Sequence, residues 1–122
     1  MDLLSEGDVE IETDEGSLVV QFPSHKLLDK DPHEAAEWLV QIAEASRARL
    51  AIVGGEGKIY GAALPAREAS QELLERFRRG IVKVRGEYIG MFSQVPVEEP
   101  AAGLGQALSF LRNGSFERVV SP

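Results

Sequence analysis

The stretch "DPHEAAEWLVQIAEASRAR", residues 31 to 49, limits the fold of this chain more than any other. Asp31 is a good N-cap, Pro32 fits the first helical position, and Glu34 stands where a capping box needs a carboxylate. Ala35, Trp38, Leu39, Ile42 and Ser46 then recur at helical spacing, with Glu34, Glu37, Gln41 and Glu44 largely opposite. Arg47 and Arg49 bring positive charge to the negative end of the helix. A helix with one apolar face has to bury it against another layer. The segments on either side, "SLVVQF" at 17 to 22 and "RLAIV" ending at 53, read as strands that supply that layer.

The remaining elements follow from period and punctuation. Residues 8 to 13, "DVEIET", alternate polar and apolar as a half-buried strand, and "DEG" at 14 to 16 turns the chain into "SLVVQF". "KIYGAAL" pairs with "RLAIV" as a hairpin. Pro65 opens a second helix whose stripe is Ala66, Ala69, Leu73, Leu74 and Phe77, stopped by Gly80. "IVKVR" is a strand, "GE" at 86 and 87 makes a tight turn or a bulge, and "YIGMFS" continues. Leu104, Ala107, Leu108 and Leu111 predict a third helix, and "FERVV" a last short strand.

From residue 17 the order is strand, helix, strand, strand, helix, strand. This is the ferredoxin-like βαββαβ order, over about 17–93, within a single α+β domain spanning 1–122. The expected architecture is an antiparallel sheet with helices on one face, plus an extra N-terminal hairpin strand and a C-terminal helix. In that topology "SLVVQF" and "IYGAAL" are central, and "IVKVR" is an edge guarded by Lys83 and Arg85. Element order does not fix strand pairing, and a profilin-like layout is a second α+β arrangement compatible with it.

Composition narrows the function classes. The chain has no cysteine, which removes disulfides, thiolate metal sites and a thiol nucleophile. Its net charge of −7 opposes non-specific nucleic-acid binding. No apolar run approaches the length of a membrane span. Residues 1 to 15 carry seven acids and no base, unlike a secretory or mitochondrial leader, so a cytoplasmic protein is expected. The charge is uneven, because Arg76, Arg78, Arg79, Lys83 and Arg85 form a basic block without an intervening acid.

Motif by motif, the catalytic signatures fail. "IVGGEGKIYG" at 52 to 61 resembles a phosphate loop, but Gly57-Lys58 is followed by Ile59 and the residue five places before Gly57 is Ile52. A dinucleotide fingerprint would need its third glycine one place before Gly61, and a helix instead of "KIYGAAL". The stretch therefore reads as a hairpin turn with Lys58 at its rim. "HEAAE" at 33 to 37 is a zinc-protease motif lacking its second histidine, and with no further ligand-rich segment neither a metal nor any other cofactor is expected. His25, between Ser24 and Lys26, sits in a loop after a strand; it and His33 are the only imidazoles for acid–base work. No G-x-S-x-G elbow accompanies them. The aromatics Tyr60 and Phe22 come without an RNA-recognition signature.

Two functional expectations follow. The first is a non-catalytic domain that binds a protein partner or a second copy of itself. Its surface would comprise Arg76, Lys83, Arg85, Tyr88, Ile89, Met91 and Phe92. The second is a small anionic-ligand or nucleotide binder, and possible enzyme, using the Gly54–Lys58 loop with Lys58, Arg78, Arg79 and His25.

Overall fold

The computed structural model describes residues 9–13, 16–21, 29–55 and 58–97. The elements in chain order are β1 (Val9–Thr13), β2 (Gly16–Gln21), α1 (Pro32–Ser46), β3 (Leu50–Gly55), β4 (Lys58–Pro65), a 3-10 turn (Ala66–Glu68), α2 (Gln71–Arg76), β5 (Ile81–Arg85) and β6 (Tyr88–Val97). The expected third helix, the "FERVV" strand, Phe22 and His25 lie outside the described residues. No helix among the described residues is long and apolar enough to cross a membrane.

Local chemistry sets the helix ends. The Asp31 carboxylate accepts from the His33 amide at 3.3 Å, and Pro32 occupies the first turn. Arg47 closes α1 in the left-handed region, φ 51°, with its N–H directed to the carbonyls of Ala43 and Glu44. The second helix differs from expectation. Pro65 ends β4, a 3-10 turn follows, and α2 restarts where the Ser70 hydroxyl accepts from the Leu73 amide at 3.1 Å. That cap satisfies a first-turn donor and fixes the start of α2 at Gln71, six residues after the Pro65 that the sequence pattern implies. Leu73 and Phe77 still bury their side chains.

Among the described residues the sheet has six strands in the order β1-β2-β3-β4-β6-β5. It is mixed, because β2 and β3 run parallel with Leu18 opposite Leu50 and Val20 opposite Ile52. All other neighbours are antiparallel. The α+β class holds, but the ferredoxin-like strand order does not, and neither does the all-antiparallel sheet. In that order β2 would lie between β4 and β5; here its two edges go to β1 and β3. The N-terminal hairpin strand, read as an addition, thus takes the edge that β5 would have needed. β4 is central and β5 an edge, as expected, whereas β2 is next to the edge strand β1.

The helices also fall on opposite faces instead of one. Ala35, Ala36, Leu39, Ile42 and Ala43 of α1 pack with Val19, Ala51, Val53, Ala63 and Phe92. Leu73 and Phe77 pack with Leu18, Val20, Ile52, Ala62 and Met91, which alternate with the first set along the strands. Handedness supplies the reason. The units β2-α1-β3 and β4-α2-β5 each join parallel strands, and parallel crossovers are right-handed. β4 and β5 point opposite to β2 and β3 yet lie further along the sheet in the same direction, so equal hand demands opposite faces.

α1 supplies the larger part of the cover. Leu39, Val40 and Ile42 are about 1% exposed, and burial of each side chain stabilises by roughly 1.5–3 kcal/mol. Two glycines let the helix settle this closely. A Cβ on Gly61 would lie 2.9 Å from Leu39 Cδ2, and one on Gly90 would lie 2.8 Å from Val40 Cβ and 3.0 Å from the Ala36 carbonyl oxygen. Gly90→Ala is therefore expected to lower the unfolding free energy by about 1–3 kcal/mol, read from the midpoint of a urea titration followed by circular dichroism.

Candidate functional site

β4 runs from Lys58 at one end of the sheet to Pro65 at the other, and these two ends organise the polar chemistry. The glycine stretch is the β3–β4 hairpin, with Gly54 opposite Ile59 and Gly55 opposite Lys58. Tyr60 is the bulged residue, since Val53 pairs with Gly61 while Gly54 pairs with Ile59. Lys58 is exposed. The stretch opens no helix, and the strand that follows it is central to the sheet.

At the Lys58 end, α2 finishes and β5 begins. Arg76, Arg78 and Arg79 line a cleft of about 580 Å³ there, together with Ser93 and Val95. Its floor is a local departure of β6 from its partner: Phe92 pairs with Gly61 and Val97 with Ile59, so the segment from 93 to 96 bows out. The Ser93 hydroxyl accepts from the Val95 amide at 3.2 Å and ties this bow together. Val95 is 70% exposed at its crest. Carboxylates answer two of the arginines, with Glu72 3.7 Å from Arg76 and Glu75 3.8 Å from Arg78. Lys58 does not line this cleft; its neighbour Ile59 pairs with Val97, which does.

The basic block is split by the strand that carries half of it. Lys83 stands opposite Gly90 and Arg85 opposite Tyr88, on the face covered by α1. Arg85 Nε donates to Glu44 Oε1 at 2.7 Å, fastening the edge strand to that helix. Lys83 and Arg85 share a face with Ile81, as the alternation predicts, but they belong to a different surface from Arg76, Arg78 and Arg79.

The apolar residues expected at an interface need correction. Met91 and Phe92 are fully buried and offer no surface, while Tyr88 and Ile89 are half-buried against opposite sides of the core. The physical reason is that helices cover both faces of β6 at this point: Phe92 packs with α1, and Met91 with Leu73 and Phe77 on the α2 side. The exposed apolar side chains stand next door on β5: Val82 is 44% and Val84 68% exposed. Both point to the α2 side, and α2 is too short to reach over β5. Sequence reasoning missed these valines because it read "IVKVR" for its charges; its period-two pattern contains both faces.

His33, Glu34 and Glu37 are exposed in the first turns of α1, and His33, Glu34, Glu37 and Trp38 border a shallow hollow of about 270 Å³. Among the described residues no group of three or more His, Asp or Glu side chains is arranged to hold a metal ion. A third cleft, at the Pro65 end, gathers Arg47, Arg49 and Arg67. No residue on its wall was singled out in the sequence for ligand binding.

No protein-family model matches the chain, and comparison with curated proteins and with solved structures finds no similar protein.

The Arg85–Glu44 pair is partly solvated, with side chains 49% and 39% exposed. Glu44→Gln is expected to cost less than about 1 kcal/mol, and the loss should shrink in 1 M sodium chloride when thermal midpoints are compared.

Proposed function

We propose that the protein acts as a protein-binding domain through its edge strand β5, without catalysis. The single observation behind this reading is that, among the described residues, β5 pairs on one side only while presenting Val82 and Val84 to solvent on one face and Lys83 and Arg85 on the other. An unpaired strand edge offers a row of backbone donors and acceptors to an added strand. Alternating apolar and basic side chains select a partner strand that alternates apolar residues with carboxylates.

The chain itself contains such a segment in Val9–Thr13, "VEIET", which forms the opposite edge of the sheet. A second copy can therefore supply the partner strand head to tail. Symmetric β5–β5 pairing is disfavoured, since it sets Lys83 and Arg85 of two copies against one another. A second reading, a small anion held at the Lys58 end, is favoured by the gathering of Arg76, Arg78 and Arg79 around one cleft. It ranks lower because Glu72 and Glu75 already stand beside two of these arginines.

Sedimentation equilibrium over a wide concentration range tests the association. The expected result is a mass rising above the 13.3 kDa of one chain, with the rise suppressed by Lys83→Glu, by Val84→Glu and by high salt. A strictly monomeric protein that also fails to bind a labelled peptide spanning residues 8 to 13 would overturn it.

A further inference from the structure

The two edges of the sheet match each other row by row. Strand pairing carries one row straight across all six strands: Glu10, Val19, Ala51, Ala63, Gly90 and Lys83. The next row is Val9, Val20, Ile52, Ala62, Met91 and Val82. β1 and β5 run in the same direction, so further steps put Ile11 level with Val84 and Glu12 level with Arg85.

Faces follow from the same rows, because residues opposite one another in a sheet share a face. The Glu10 row runs through Val19, Ala51 and Ala63 on the α1 side. The Val9 row runs through Val20, Ile52, Ala62 and Met91 on the α2 side. At its far end that side carries the exposed Val82 and Val84. Each edge is therefore the complement of the other at the same level. Acid answers base on the α1 side, and apolar answers apolar on the α2 side.

A second copy displaced along the sheet brings its β1 against β5 with no shift along the strands and no exchange of faces. Lys83 is then set opposite Glu10 and Arg85 opposite Glu12, as cross-strand pairs of opposite charge. Glu44 of the same chain also holds Arg85, which leaves Lys83 as the main selector. Turning the second copy over loses the match, since it sets the basic row of β5 beside the apolar row of β1. Among the described residues β1 and β5 each pair on one side only. Every added copy thus presents a fresh edge.

From these observations we infer that copies of this chain associate by parallel β5–β1 pairing into one continuous, open-ended sheet. The inference rests on β5 being an association edge and adds the direction, level and order of the assembly. A head-to-tail contact gives a ring when its rotation closes and a helical filament when it does not. Sheet twist, about 20–25° per strand, turns around the direction in which strands are added. Rotation and translation then share an axis, and the product is a screw that does not close.

Sedimentation of two charge reversals tests it, with circular dichroism checking that each variant is folded. Lys83→Glu blocks β5 and Glu10→Lys blocks β1. Each alone is expected to associate at least tenfold more weakly than the native chain. Mixed, they are expected to form a two-chain species and nothing larger, because one brings an intact β1 and the other an intact β5. Combining both reversals in one chain is expected to restore growth beyond two copies. The chain has no cysteine, so Val84→Cys with Ile11→Cys gives an independent readout. The two edges of one molecule are about 24 Å apart, beyond the roughly 7 Å between Cα atoms that a disulfide spans. Oxidation is therefore expected to link separate copies into trimers and larger species, and Val84→Cys with Val9→Cys, two residues out of level, to give far less. If the native chain associates while the mixed reversals stay monomeric or grow past two copies, the inference is overturned and the β5 reading stands. The same follows if the level cysteine pair stops at dimers, or if the native chain binds the peptide of residues 8 to 13 yet stays monomeric. A native chain that neither associates nor binds that peptide overturns both.

Discussion

A strand has two edges, and in this molecule both edges of β2 are used early in the chain. The hairpin with β1 occupies one and the parallel pairing with β3 the other. Every later described strand is added beyond β3, so the sheet grows in one direction as β3, β4, β6 and β5. Right-handed crossovers carry this restriction into the third dimension. With β4 and β5 reversed relative to β2 and β3, the second helix has to land on the opposite face from the first. A two-faced fold accompanies this one hairpin at the N-terminus, and among the described residues β5 is the terminal strand at the far side.

The two faces are covered unequally. α1 has fifteen residues and lies across β3, β4, β5 and β6, brought close by Gly61 and Gly90. α2 has six residues and covers the middle of the other face with little more than Leu73 and the following Phe77. That inequality is what leaves Val82 and Val84 in solvent while Ile81, on the α1 side of the same strand, joins the core. Charge is distributed in a related way. On the covered face Arg85 is held by Glu44, so the edge is fastened to the helix and Lys83 is left in the middle of the strand. An association surface and an electrostatic guard coexist on five residues because strand side chains alternate between faces.

The arginines divide between the ends of the sheet. At the Lys58 end Arg76, Arg78 and Arg79 come from one chain segment and stand near carboxylates of the same helix, an arrangement that the helix dipole and solvation explain largely by themselves. At the Pro65 end Arg47 and Arg49 come from the one loop between α1 and β3, and the β3–β4 pairing sets Arg67 beside them.

What could be read along the chain was whatever depends on neighbours in sequence. The capped start of α1 at Asp31, its apolar stripe, the β3–β4 hairpin behind "IVGGEGKIYG", and "IVKVR" as a charged edge all rest on periodicity, capping or turn chemistry acting over a few residues. Met91 and Phe92 show where that reading stops. A strand with apolar residues on successive positions can offer one face to a partner or be covered on both, and only the packing of α1 on one side and of Leu73 and Phe77 on the other decides between them. The same holds for Arg67, which only the β3–β4 pairing sets beside the loop that carries Arg47 and Arg49. Local sequence determined the elements and their caps, because those energies are local. The tertiary structure decided strand order, the faces taken by the helices and the meeting of distant arginines, because these depend on which backbone edges remain free once the first strands have paired.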